Sequence, residues 1–253
     1  GEVTYLDRLI DGFFERAPRM RTGWTAFTSD HGEALGAHGM YWTHTGLYPD
    51  TLRVPLVLAG PGVPEGRVVK APVSNTDVAR TLLEVSGVIE PDGAGPFDDF
   101  AGPFDDFAGA SLLSPEILDD ERKEPRFVIG QNGNSAAVFH EGWYLLLHIE
   151  TVNWGNPPGA VRHSIELYDL NEDPGFTTDV ADEHPERARR LRRALVAWLN
   201  DLPPDGILAG AIPGDPSARD ELAALGYAVN EASAIEGTLI DPDCDCAECE
   251  AMR

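Results

Sequence analysis

A short β-prone run, Trp24-Thr25-Ala26-Phe27-Thr28, passes without a spacer into Ser29-Asp30-His31-Gly32. A strand that ends in polar residues and a glycine is how open α/β sheets deliver side chains into the crevice at their carboxyl edge. That junction restricts the chain more than any other stretch. Upstream of it, Tyr5, Leu6, Leu9, Ile10, Phe13 and Phe14 recur at helical spacing over residues 4–16 and predict an amphipathic helix packing on a sheet. Downstream, Val54-Pro55-Leu56-Val57-Leu58-Ala59 reads as a second strand, closed by Gly60-Pro61-Gly62. Ser74-Asn75-Thr76-Asp77 has the residues of a helix start and leads into Val78–Val85. Strand, loop, strand and helix together fit an α/β layer.

Beyond that layer the character changes. Residues 94–107 hold AGPFDDF twice in tandem, too short for a repeat fold and read as a surface insertion. Its paired Asp lack the ligand ladder and closing Glu of an EF-hand loop. Arg126–Gly130, Ala136–Ile149 and Glu166–Leu170 read as strands, and Asp182–Leu199 as a helix. On that helix Leu191, Leu195, Val196 and Leu199 face inward, and Arg187, Arg189, Arg190, Arg192 and Arg193 face outward. The expected division is an α/β region over 1–115, a small α+β subdomain over 116–230, and a loosely held acidic tail over 231–253.

The net charge of -24 repels phosphate backbones and anionic lipid, which argues against nucleic acid and membrane as partners. No apolar run approaches the roughly 18 residues that span a bilayer. The only lysines are Lys70 and Lys123 against 43 acidic residues, the balance expected of a protein adapted to high salt or of a GC-rich genome that favours Arg over Lys. All three cysteines, Cys244, Cys246 and Cys249, lie in the last ten residues, so no disulfide framework holds the body. Thiolates at C-x-C-x-x-C suit a soft metal such as zinc, but three ligands in an acidic tail read first as a solvated terminus. The reduced-looking thiols, and an N-terminus without a basic and then apolar leader, point to the cytoplasm.

The chemistry concentrates in Phe27–Gly39, FTSDHGEALGAHG, where Asp30 and His31 stand side by side before Gly32. A carboxylate and an imidazole from one tight loop can both reach a divalent cation. The competing reading makes Asp30 a helix N-cap. Three of the seven His, at 31, 38 and 44, fall within fourteen residues.

This stretch resembles the signature of the sulfatase family, within the alkaline-phosphatase-like superfamily, in which a strand runs into S-D-H-G or S-D-N-G. Four further segments resemble family motifs in the same order: Leu47–Leu56 (LYPDTLRVPL), Ser111–Pro115 (SLLSP), Glu166–Ala181 (beginning ELYDLNEDP) and Leu222–Tyr227 (LAALGY). The resemblance implies part of an alkaline-phosphatase-like sandwich with a mostly parallel sheet, and hydrolysis of a sulfate monoester on a small molecule or glycan. It implies that Asp30 and His31 ligate calcium or magnesium. It makes His44 the residue that contacts the ester or protonates the leaving group, and Arg53 a second candidate for substrate contact. The family's nucleophile motif, C/S-x-P-S-R, does not occur in these residues. The expectation is therefore a C-terminal part, inactive alone, whose partner is the missing N-terminal half. Phosphodiesterases, phosphonate hydrolases and phosphotransferases of the superfamily share the D-H-G loop and remain alternatives, as does a non-catalytic remnant.

Overall fold

A computed structural model describes residues 1–89, 109–130, 133–150, 157–202, 240–241 and 244–252. The AGPFDDF tandem and the Leu222–Tyr227 segment lie outside them. In chain order the elements are α1 (Glu2–Arg16), β1 (Thr25–Thr28), β2 (Ala34–Leu35), β3 (Tyr41–Thr43), α2 (Pro49–Leu52), β4 (Leu56–Ala59), α3 (Asn75–Val85), α4 (Pro115–Leu118), β5 (Arg126–Ile129), β6 (Ser135–His140), β7 (Trp143–His148), β8 (Ile165–Asp169), α5 (Pro185–Asp201) and α6 (Ala247–Ala251). No described helix is long and apolar enough to cross a membrane.

The chain forms two compact units, one of residues 1–30 and 54–123, the other of residues 31–53 and 124–253. The segment that follows Asp30 goes with the C-terminal part.

In the first unit β1 and β4 pair antiparallel, with Thr25 opposite Ala59 and Thr28 opposite Leu56. The expectation of a mostly parallel sheet is corrected here: every strand pairing among the described residues is antiparallel. A parallel return needs a crossover element packed against the same sheet, and the chain between β1 and β4 belongs to the other unit. One face of the pair, through Ala26, Leu56 and Leu58, packs with Val78, Leu112 and Ile117. Helix α1 forms where the periodicity places it, yet none of its residues is buried, and Val3 is 84% exposed. On its apolar stripe Ile10 and Phe14 are half-buried.

A buried carboxylate ties this unit together. Asp77, on the first turn of α3, accepts from the backbone N–H of Ser74 (2.8 Å) and of Ala110 (2.8 Å) and from Arg122 Nη1 (3.1 Å). One turn on, Thr81 Oγ1 accepts from the backbone of Leu112 at 2.8 Å. The Ser111-Leu112-Leu113 segment is thereby laced to α3, with a buried charge whose lone pairs are met by donors.

In the second unit β5-β6-β7-β8 form an antiparallel sheet, with Val138 opposite Leu145 and Leu145 opposite Leu167. Side chains alternate along a strand. Leu145 and Leu147 join Ala188, Leu191, Leu195 and Leu199 of α5, while Tyr144 and Leu146 join Ala34, Met40, Leu47 and Tyr48. The sheet is therefore covered by α5 on one side and by residues 31–53 on the other. That is why β7 reads as an unbroken apolar run, each Leu contributing about 1.5–3 kcal/mol on burial. Helix α5 starts at Pro185, whose missing N–H costs nothing in a first turn. One expectation is corrected: Arg192 is buried rather than outward-facing. Among the described residues of the tail, α6 carries a buried Cys249.

Candidate active site

The segment from His31 to Arg53 is held by its backbone at one end and by a buried polar network at the other. Gly32 N–H donates to Thr51 O at 2.9 Å. A Cβ on Gly32 would stand 2.0 Å from Asp50 O, so only glycine permits this approach. Thr51 Oγ1 donates to Gly46 O at 2.7 Å, and Tyr144 Oη to Leu47 O at 2.8 Å.

Glu166 on β8 is the hub. Its carboxylate accepts from Tyr48 Oη at 2.8 and 2.9 Å, from His148 Nε2 at 2.7 Å and from Tyr168 Oη. Burial alone would raise the Glu166 pKa, but the donors His148, Tyr168 and Tyr48 outweigh it and hold the carboxyl below its ordinary range. Burial, and then the Glu166 charge, push the Tyr48 and Tyr168 hydroxyls far above theirs, so both remain protonated donors.

On this support, His31 and His44 stack, ring centroids 4.5 Å apart and planes 24° from parallel. His31 Nδ1 lies 2.8 Å from Gly32 O. A carbonyl can only accept, so Nδ1 carries the proton and Nε2 of the neutral ring holds the lone pair. Both imidazoles are exposed. His38 stacks on Tyr48 at 4.1 Å instead and belongs to the support. The Arg53 guanidinium lies over the Phe176 ring, 5.4 Å from its centroid, in the same unit.

Asp30 closes the first unit, and His31 opens the stretch of the second. The strand end that carries Asp30 is fixed by α3: Asn75 Nδ2 donates to Ser29 O at 2.9 Å, and Thr28 Oγ1 to Asn75 Oδ1 at 3.3 Å. Ser29 Oγ donates to Asp30 Oδ1 at 3.3 Å. Asn75 and Glu166 were not singled out as site supports from the sequence. Glu166 lay in plain view in the E-L-Y-D segment, but its partner Tyr48 is 118 residues away.

A family model described as Sulfatase matches residues 1–88. The choline-sulfatase of Rhizobium meliloti is 30% identical over 183 residues, 71% of this chain and 32% of that protein. The chain belongs to the sulfatase family. Human arylsulfatase K is 28% identical over 184 residues, covering 69% of this chain and 30% of its own length. The chain thus spans about a third of the curated sulfatases it matches. Among solved structures, a protein in complex with its substrate D-glucosamine-2-N,6-O-disulfate has a TM-score of 0.54 at 20% identity, over 76% of this chain and 37% of that one. A putative sulfatase from Bacteroides fragilis gives 0.51 at 17% identity, over 74% of this chain and 37% of that one. At these identities the likeness establishes the alkaline-phosphatase-like α/β fold.

Sulfatases are generally dependent on a divalent metal. The donors present suit such an ion in kind: a carboxylate at Asp30 and an imidazole at His31, whose Nδ1 faces Gly32 O. They are too few to complete a shell of six to eight oxygens, as calcium takes. Among the described residues, the one grouping of three or more His, Cys, Asp or Glu ligand atoms poised for a metal is elsewhere, at His163, Cys244, Cys246 and Cys249.

Proposed function

We propose that this chain supplies part of the active site of a metal-dependent sulfuric ester hydrolase acting on a sulfated small molecule or glycan. The observation that carries the proposal is the His31–His44 pair, stacked on a loop that the Glu166 network holds in place. In this reading Asp30 and His31 contribute two ligands to calcium or magnesium. When bound there, such an ion would supply charge neutralisation for the transferring sulfuryl group. His31 presents Nε2 because Gly32 O holds its Nδ1–H. His44 binds the ester oxygens or gives a proton to the leaving alcohol. Arg53, whose guanidinium lies over the Phe176 ring, is a second candidate for substrate contact. The nucleophile comes from outside these residues, which hold no C/S-x-P-S-R motif.

A cytoplasmic setting belongs to the same proposal and rests on the confinement of all three cysteines to residues 244–249, with none in the body of the fold. Adaptation to high salt rests on 43 acidic against 19 basic residues.

The test assays aryl sulfate and aryl phosphate esters with the chain as given and with any in-frame coding sequence upstream of its Gly1 codon. The expected result is cation-dependent cleavage of the sulfate ester by the extended protein and none by the chain alone. His44→Ala is expected to lower kcat/KM by about 10²–10⁴-fold. Preference for the phosphate ester, or activity indifferent to Asp30→Asn and His44→Ala, would overturn it.

A further inference from the structure

The second unit contains a cluster that the proposed hydrolysis does not use. His163 stands just before β8, with its N–H on His148 O at 2.6 Å and a φ of 67° that non-glycine residues seldom adopt. Its Nδ1 lies 3.4 Å from Cys244 Sγ, 3.4 Å from Cys246 Sγ and 3.4 Å from Cys249 Sγ. All four atoms fall within 4.8 Å of one another. Hydrogen bonding does not account for this. One ring nitrogen offers a single proton or a single lone pair, yet three sulfurs surround it equally. His163 Nε2 is buried and meets no hydrogen-bond partner, so the sulfur trio is what the ring is aimed at.

A metal ion does account for it. With Zn–S of about 2.3 Å and Zn–N of about 2.0–2.1 Å, a tetrahedral centre places nitrogen and sulfur about 3.6 Å apart. We propose that His163, Cys244, Cys246 and Cys249 bind one zinc ion in a closed tetrahedral site of one imidazole and three thiolates. Zinc is the choice because soft thiolates with an imidazole exclude calcium and magnesium, and four protein ligands leave no open position for a substrate.

The surroundings answer the charge. Three thiolates around a dication leave a net negative centre, and the buried Arg192 places Nη2 3.0 Å from Cys249 Sγ. Cys249 N–H also points at Cys246 Sγ, at 3.4 Å across the first turn of α6. The ion would staple α6 to the β7–β8 connection, and the Arg192 contact joins α5 to the same cluster. Since ligands from residues 163 and 244–249 come together only on folding, its binding energy would add to the stability of this unit. The site is independent of the ester chemistry.

The test uses the full chain purified under reducing conditions. Expected are one equivalent of zinc by elemental analysis, the visible d–d bands of tetrahedral thiolate-ligated cobalt after exchange, and thiols that react with a disulfide reagent only after chelation. Cys246→Ser and His163→Ala each weaken zinc binding by at least about tenfold. Asp30→Asn leaves the cobalt spectrum unchanged, which separates this site from the cation of the ester reaction. Folded wild-type protein without zinc and with three freely reactive thiols would overturn the proposal. So would zinc content unaltered by both ligand substitutions. Should those variants fail to fold, the cobalt spectrum of the wild type decides alone, an octahedral spectrum or none counting against the site.

Discussion

Tyr48→Phe isolates how firmly the His31–Arg53 segment is held. The substitution keeps a ring that is 3% exposed in its place and deletes one hydroxyl. That hydroxyl is shared between the two Glu166 oxygens at 2.8 and 2.9 Å, so its single proton makes one charge-assisted bond. Such bonds contribute about 1.5–3 kcal/mol. His148 and Tyr168 still satisfy Glu166 in the variant, so no charge is orphaned and the lower part of that range applies. About 1.5–2 kcal/mol corresponds to roughly 10–30-fold in an opening equilibrium. The loss is local: the segment is freed from the sheet while β6 and β7 stay paired. Native-state hydrogen exchange reads this directly. The amide of Gly32, bonded to Thr51 O, and that of Thr51, bonded to Tyr48 O, should exchange roughly 10–30-fold faster, with Leu145–Leu147 unchanged. Protection at Gly32 and Thr51 within twofold of wild type would refute the view that the Glu166 network holds the loop.

Three further outcomes follow from the same geometry. Glu166 has a depressed pKa when folded, so its contribution is present above the unfolded value of 4.5 and is lost as pH falls through the folded one. Urea midpoints measured from neutral to below pH 4.5 should drop steeply in wild type and more shallowly in Glu166→Gln, which starts from lower neutral stability. Asp77→Ala leaves Arg122 buried without its partner and should destabilise by about 3–5 kcal/mol in denaturant titrations; a cost below about 1 kcal/mol would show that Asp77 does not hold Ser111–Leu113 to α3. Gly32→Ala forces Gly32 away from Asp50 and should accelerate exchange at Thr51, whereas Gly142→Ala, outside this loop, should leave that amide alone.

The strands, α3 and α5 were legible because local periodicity and capping residues fix them. Ser74 and Asp77 announce a helix start, and the structure places both in it. The direction of β1 against β4 was not legible, since it depends on where the intervening chain goes. Arg192 was misread because five arginines on one helix look like a solvated face. Yet it follows Ala188 by four residues and so shares the core-facing side, where Cys249 receives it. The His31–His44 stack was foreshadowed by spacing within one short loop. Tyr48 with Glu166, and His163 with the cysteines, join residues 118 and 81–86 positions apart, beyond any pattern a local window contains.

That separation governs when the loop can acquire its shape during synthesis. Residues 31–53 emerge from the ribosome long before β7 and β8, and all of residues 54–123 must be translated in between. At about 5–20 residues per second, the 118 positions from Tyr48 to Glu166 correspond to roughly 6–24 s. Through that interval the stretch bearing His31 and His44 has no sheet to rest on. The first unit's β1, β4 and α3 have all been translated while the histidines wait, so the loop is set only once β8 has been made.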